Sequence, residues 1–229
     1  MDRLAAAERF VAERFPRATT AIVAGSTARG ERTTTSDIDL LLLGDDLFPG
    51  DATSQASTHV VDGEIFEVFA YTGDGFAEWA GRGMAQHRPV IVHMLLEGTP
   101  IRRDRLLEEL RAHWAPLIEA GPTLTDAESR FRRYVITDVL DDLRDAQDPL
   151  EQRVEASLLF ERTAELMLLA AGRWIATGKW LPRRLRALDD VRAELLSAPL
   201  LAGDFDLFAA RVEAELARAG GRVQDGFVR

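Results

Sequence analysis

The 229-residue chain has no cysteine, which excludes disulfide bonds and thiolate metal sites. Long apolar runs are missing as well. No stretch approaches the ~18 residues of a membrane-spanning helix, and the first residues lack the apolar core of a signal peptide. A reducing compartment is therefore allowed, and we expect a cytoplasmic protein without a membrane partner.

Positive charge is scarce relative to negative charge. The chain carries 28 Lys and Arg against 38 Asp and Glu, a formal net charge of -10 at pH 7. Nonspecific binding to nucleic acid depends mainly on the neutralisation of phosphates by Lys and Arg, so no nucleic-acid partner is expected. A free nucleotide or another small molecule fits this charge balance better.

The first hundred residues mix strand and helix patterns. Apolar positions recur at helical spacing over residues 2–15, and Pro16 ends the run. Short apolar or β-branched runs predict strands, and Asp62-Gly63 predicts a hairpin turn between two of them. The predicted strands cover 20–24, 37–43, 57–61 and 64–71, with helices over 76–86 and 90–98 and a short strand near 101.

From about residue 104 onward the pattern is helical almost throughout, with long amphipathic stretches over 128–146 and 150–176. Breaks are expected at 121–122, 148–149, 177–178, 182 and 219–221. We therefore predict an α+β fold, in which an N-terminal mixed β-sheet domain with flanking helices (1–104) precedes a C-terminal helical bundle (105–229). The boundary depends on the change in pattern alone.

The most informative segment has two carboxylates, Asp37 and Asp39, at the head of a Leu run. Side chains alternate along a strand, so both acids lie on one face, about 6 to 7 Å apart at Cα. Such a pair suits Mg²⁺, which prefers oxygen ligands and substrate phosphates. A Gly25-Ser26 turn lies ten residues upstream, where its backbone can approach a phosphate closely.

A third acid is expected on a later strand. Glu67 lies between Phe66 and Val68 in an apolar run, where a carboxylate needs a partner. Glu64 lies beside the hairpin turn, where a solvated carboxylate is ordinary. The alternative for Glu67 is an edge strand that simply exposes it.

Together, the Gly-Ser turn, the acid pair and the later acid resemble the nucleotidyltransferase superfamily of DNA polymerase beta, over roughly residues 20–71. The chain's small size and helical second half are most similar to bacterial minimal and kanamycin-type enzymes. The resemblance implies a nucleotidyltransferase domain in the N-terminal half and Mg²⁺-dependent transfer of a nucleoside monophosphate, with ATP as the expected co-substrate, to a hydroxyl. Asp37, Asp39 and Glu67 would then be catalytic metal ligands.

Several residues are expected to bind the nucleotide. Ser26 can donate its hydroxyl and its amide at the start of a short helix, Arg29 can add charge, and Ser36 can cap or orient the turn before the acid pair. The resemblance adds the segment 172–182, which in related two-domain enzymes brings a Lys toward the phosphates. The expected set is Gly25, Ser26, Arg29, Ser36 and Lys179.

The acceptor stays open at this stage. Kanamycin-type enzymes suggest an aminoglycoside-like small molecule, whereas minimal enzymes suggest an antitoxin that adenylylates a protein. One of the helical-half acids Asp138, Asp141 and Asp142 could act as base, as in kanamycin-type enzymes, and the sequence does not choose among them. A non-catalytic nucleotide-binding or interaction module is a further alternative, a polymerase is disfavoured by the charge, and a homodimer stays open.

Overall fold

A computed structural model describes residues 3–30 and 36–224. Its first half holds a five-stranded mixed sheet in the order β3-β4-β2-β1-β5. The strands are β1 (Thr20–Val23), β2 (Ile38–Leu43), β3 (Ser54–Val61), β4 (Glu64–Tyr71) and β5 (Thr99–Arg102). The helices are α1 (Arg3–Arg14), α2 (Gly25–Arg29), α3 (Gly73–Ala85), α4 (Val90–Glu97) and α5 (Arg105–Ala120). β2 and β4 run parallel, and the other neighbouring strands are antiparallel.

β2 is the central strand because its apolar side chains are buried on both faces of the sheet. Leu40 and Leu42 join the core that includes α1, whereas Leu41 and Leu43 join the core built from α3, α4 and α5. All four leucines have no exposed surface. Each contributes about 1.5–3 kcal/mol by leaving water, so the Leu run that follows the acid pair anchors the strand firmly.

The predicted hairpin is confirmed. Val61 pairs with Glu64, which leaves a two-residue loop, and both loop residues have positive φ, 53° at Asp62 and 78° at Gly63. Positive φ at both positions is typical of a type I′ turn, whose twist matches that of the strands. The hairpin pairs one edge of β4 with β3, and the other edge of β4 pairs with β2.

The second half of the described chain is helical, as predicted. Its helices are α6 (Asp126–Asp145), α7 (Pro149–Ala170), α8 (Trp180–Leu188), α9 (Asp190–Ala202) and α10 (Phe205–Arg218). Their apolar faces share one core, in which Ile136, Leu159 and Phe208 are fully buried. Polar side chains cap four of the helices through bonds to first-turn N–H groups: Thr125, Asp148, Asp189 and Asp204.

Two details differ from the sequence pattern. The helix expected over 150–176 ends at Ala170, because Gly172 adopts φ 66° and the Arg173 N–H donates to the Leu168 carbonyl at 2.9 Å. This bond, with that of the Gly172 N–H to Leu169, is a Schellman-type end. Pro182, expected as a break, lies in the first turn of α8, where a missing N–H costs nothing.

The contacts divide the chain into two compact units, Met1–Ala120 and Gly121–Arg229. α5 therefore belongs to the first unit, where Leu107 and Trp114 pack in a sheet core. The boundary after residue 104 stays a prediction about separate domains. None of the described helices is long and apolar enough to cross a bilayer.

Candidate active site

Three carboxylates converge where β2 begins. Asp39 pairs with Glu67 across the parallel strands β2 and β4, and Asp37 lies two residues earlier on the same face as Asp39. Oxygen atoms of these three residues, hereafter the acid cluster, lie within 4.8 Å of one another. β4 is flanked by β3 and β2, so the alternative of an exposed edge strand for Glu67 is wrong.

Gly25 shapes the space for Asp39. The glycine has φ +63°, and a Cβ built on it would lie 1.7 Å from Asp39 Oδ2. The N–H of Ala24 donates to the Asp39 carbonyl at 2.9 Å, which joins the end of β1 to β2 at this point. Glycine is thus required here by its backbone conformation and by the carboxylate that occupies the place of a side chain.

α2 connects the Gly-Ser turn to the acid cluster. Thr27 Oγ1 donates to the Asp37 carbonyl at 3.4 Å, a contact that the sequence interpretation missed because only the folded helix brings Thr27 back to that strand. Ser26 lies in the first turn of α2, after an Ala24 N-cap that has no side-chain oxygen. Ser36 is partly buried beside Asp37 in the chain. The side chain of Arg29 lies outside the described part of the structure.

The acid cluster is electrostatically strained. Burial, followed by the negative charges of Asp37 and Asp39, raises the pKa of Glu67 above its ordinary value, and a side-chain hydrogen bond with Asp37 acts in the same direction. Three carboxylates this close repel one another when all are ionised. A cation between them would remove that repulsion.

The donor set fits a hard divalent cation. All three groups are carboxylates, and each can turn one oxygen toward a common point. Mg²⁺ prefers such oxygen ligands and commonly takes one or two carboxylates together with substrate phosphates. Asp37, Asp39 and Glu67 are therefore the residues that could hold Mg²⁺.

The helical-half candidates have different environments. Lys179 is exposed at the N-cap position of α8. Asp141 accepts a hydrogen bond from Gln224 Nε2 at 2.8 Å and another from Arg222, so it is part of a local ion-pair network. Asp138 and Asp142 are exposed.

Comparison with known proteins identifies the family of the first half of the chain. Residues 4–111 match the nucleotidyltransferase domain family. This part of the chain is a nucleotidyltransferase domain of the DNA polymerase beta-type superfamily. The family indicates a transferase of phosphorus-containing groups.

A solved structure shares the fold of the nucleotidyltransferase domain and its helical extension. It is a nucleotidyltransferase-like protein from Exiguobacterium sibiricum 255-15, with a TM-score of 0.51 and 16% identity. The alignment covers 93% of this chain and 74% of that one. Among curated proteins, none matches the sequence.

Proposed function

We propose that the chain is a Mg²⁺-dependent nucleotidyltransferase that moves a nucleoside monophosphate, AMP from ATP, to a hydroxyl of a small molecule such as an aminoglycoside. One observation carries this proposal: three carboxylate groups converge within 4.8 Å beside the Gly25 turn of a nucleotidyltransferase domain. The net charge of -10 supports a cationic acceptor, which it would attract by electrostatic steering.

The roles of the acids follow from their positions. Asp37 and Asp39 share one strand face and would hold the metal ion, and Glu67 on the neighbouring strand would complete the ligand set and accept the proton of the acceptor hydroxyl. Mg²⁺, when bound, would neutralise charge on the transferring phosphate and favour in-line attack at the α-phosphorus. Thr27 would support this geometry through the Asp37 carbonyl.

Five residues are proposed to contact the nucleotide: Gly25, Ser26, Arg29, Ser36 and Lys179. Gly25 and Ser26 begin α2, where backbone N–H groups point out of the first turn. The proposal for Lys179 comes from the resemblance, and one feature of the sequence makes it easy to test. Lys179 is the only lysine of the chain.

An acyl-phosphate derivative of ATP transfers its acyl group to an amine held near the phosphates. Mass spectrometry of the labelled chain should find the acyl group on Lys179, and excess ATP should suppress it. Labelling that ATP does not reduce would contradict a nucleotide-binding role for Lys179. The α-amino group of the protein used in the assay, also an amine, serves as an internal reference for nonspecific acylation.

The activity itself is tested with each α-labelled NTP and Mg²⁺, over a panel of aminoglycosides and, separately, a cell lysate. Label on a drug supports the proposed acceptor, and label on a protein band supports the adenylylating alternative. Asp37→Asn and Asp39→Asn should each lower transfer by at least about 10²-fold. Asp46→Asn, which changes an exposed acid beyond the same strand, is the matched control.

A negative result also has a defined meaning. If no acceptor is labelled while calorimetry shows that ATP binds, the result favours the alternative of a non-catalytic nucleotide-binding module. Full transfer by Asp37→Asn or Asp39→Asn would contradict the assignment of the metal site.

A further inference from the structure

The helical unit contains a strongly basic segment, although the chain as a whole has a net negative charge. Residues 166–188 contain no Asp or Glu. The same 23 positions carry five cations: Arg173, Lys179, Arg183, Arg184 and Arg186. Although the whole chain has ten excess negative charges, this segment is locally positive.

Three of these cations form a row on α8. Lys179, Arg183 and Arg186 are spaced by four and three residues, the spacing of one helix face, and all three are exposed. Lys179 has φ -59° and ψ -20°, so the row continues through the N-cap position. The opposite face of α8 carries the buried Leu181 and Leu185. We name Lys179, Arg183 and Arg186 the basic stripe.

The basic stripe lies on a firmly held support. Arg184, outside the stripe, donates from Nη1 to the carbonyls of Trp174 at 2.8 Å and Ile175 at 3.2 Å, which ties α8 to the loop before it. The guanidinium of Arg183 lies 4.7 Å from the centre of the Trp180 ring. These contacts hold α8 and the Arg183 side chain in place, so less conformational entropy is lost when a partner binds the stripe.

An acidic row with the same spacing lies on α6. Asp138, Asp142 and Asp145 are separated by four and three residues, and all three are exposed. The opposite side of α6 carries Leu140 and Leu143, which are buried in the helical core. We name Asp138, Asp142 and Asp145 the acidic stripe.

We propose that the basic stripe of one molecule docks against the acidic stripe of a second copy of this chain. The two stripes have opposite charge, equal length and equal spacing, and both belong to the same compact unit. Because every copy carries both stripes, a two-fold arrangement makes the contact twice. The proposal rests on Arg183 and Arg186 whether or not Lys179 binds the nucleotide, and it does not depend on the nature of the acceptor or on transfer activity.

The chemistry of the contact defines how the dimer behaves. Exposed ion pairs are worth about 0–1 kcal/mol each and are screened by salt. The association is therefore weak, and its strength falls as ionic strength rises. Complementary charge also sets the orientation of the two copies more than it sets affinity.

Sedimentation velocity of the full chain tests this directly. In about 20 mM NaCl, where screening is weak, the weight-average mass should rise with concentration toward twice the 25.4 kDa of one chain, and about 500 mM NaCl should return it to one chain. A wild-type chain that stays monomeric at low salt would overturn the proposal. If it gains mass only when an RNA oligonucleotide is added, the basic stripe is a nucleic-acid surface instead.

A charge swap identifies the stripes. R183E/R186E and D138R/D142R should each abolish self-association, because each variant carries two stripes of like charge. An equimolar mixture of the two variants should associate again, since every stripe then meets its opposite. Lys179 is left unchanged so that nucleotide binding is not altered with it.

The matched control for R183E/R186E is R130E/R153E, which makes the same change in net charge at exposed arginines outside both stripes. It should associate as the wild type does. Circular dichroism confirms that every variant is folded before it is compared. Folded swap variants that dimerise alone, or that fail to associate when mixed, would overturn the assignment of the stripes.

Discussion

Gly25→Ala is predicted to disable the acid cluster while leaving the domain folded. The new Cβ would lie 1.7 Å from Asp39 Oδ2, whereas an ordinary contact needs at least 3.4 Å. The carboxylate or the turn must therefore move by about 1.7 Å, the difference between these two distances. A non-glycine residue at φ +63° also costs about 1–2 kcal/mol of folding free energy.

The displacement is large on the scale of metal coordination. Ligand distances in metal sites are held to about 0.2 Å, and Mg²⁺ demands near-ideal geometry. A shift of about 1 Å in a reacting group can cost about 10²-fold in rate. We therefore expect Gly25→Ala to lose divalent-cation binding and at least about 10²-fold in transfer.

Calorimetric titration with Mn²⁺, a substitute for Mg²⁺, measures the first effect without knowledge of the acceptor. Gly30→Ala is the matched control, because Gly30 ends the same helix at φ +71° and a Cβ there meets no described atom within 4 Å. Both variants incur the backbone strain, but only Gly25→Ala moves Asp39. Wild-type Mn²⁺ affinity in Gly25→Ala, or equal loss in both variants, would refute the reasoning.

Further predictions concern individual groups. The raised pKa of Glu67 means that, just above pH 4.5, this carboxyl binds more protons in the folded chain than in the unfolded one. Without metal, the free energy of unfolding should therefore fall as pH rises above the ordinary pKa of 4.5. Glu67→Gln should make this pH dependence weaker, as measured by urea titrations at several pH values. Burial acts to raise the pKa of Asp104, but hydrogen bonds, including one from Thr20 at 2.6 Å, lower it overall. Its stabilising effect should therefore be lost as pH falls below 3.8, and Asp104→Ala should cost about 1–2 kcal/mol at neutral pH through the lost α5 cap. Glu215→Gln should cost about 1.5–3 kcal/mol in thermal unfolding, since buried Glu215 accepts charged hydrogen bonds from Arg192 and Arg218.

Much of the fold could be predicted because local patterns decide it. The Leu run of β2 is typical of a strand that is buried on both faces, and Asp62-Gly63 predicted the hairpin that carries β4. The segment over 90–98 was predicted as a helix with a short strand after it, and the structure confirms both. The end of α7 was missed because only a positive φ at Gly172 shows that the helix stops there.

The candidate site was likewise predicted only in part from the sequence. The spacing of Asp37 and Asp39 was visible in the sequence, because two residues on one strand share a face whatever the rest of the fold does. The role of Gly25 was only partly visible. Its position suggested a close approach to phosphate, whereas the structure shows a close approach to the Asp39 carboxylate. That contact joins residues 14 positions apart and depends on how β1 pairs with β2.

The choice of Glu67 over Glu64 illustrates how register decides chemistry. In the parallel pair β2–β4, Asp39 lies opposite Glu67, and side chains at paired positions point to the same face. Glu64 is three residues earlier on β4, so it points to the opposite face, and it pairs with Val61 in the hairpin rather than with β2. A slip of one residue in β4 would turn Glu67 away and place Phe66 or Val68 beside the acid pair. Phe66 and Val68 prevent that slip, because both are buried in the core that includes α1, and their burial holds Glu67 toward the acid pair.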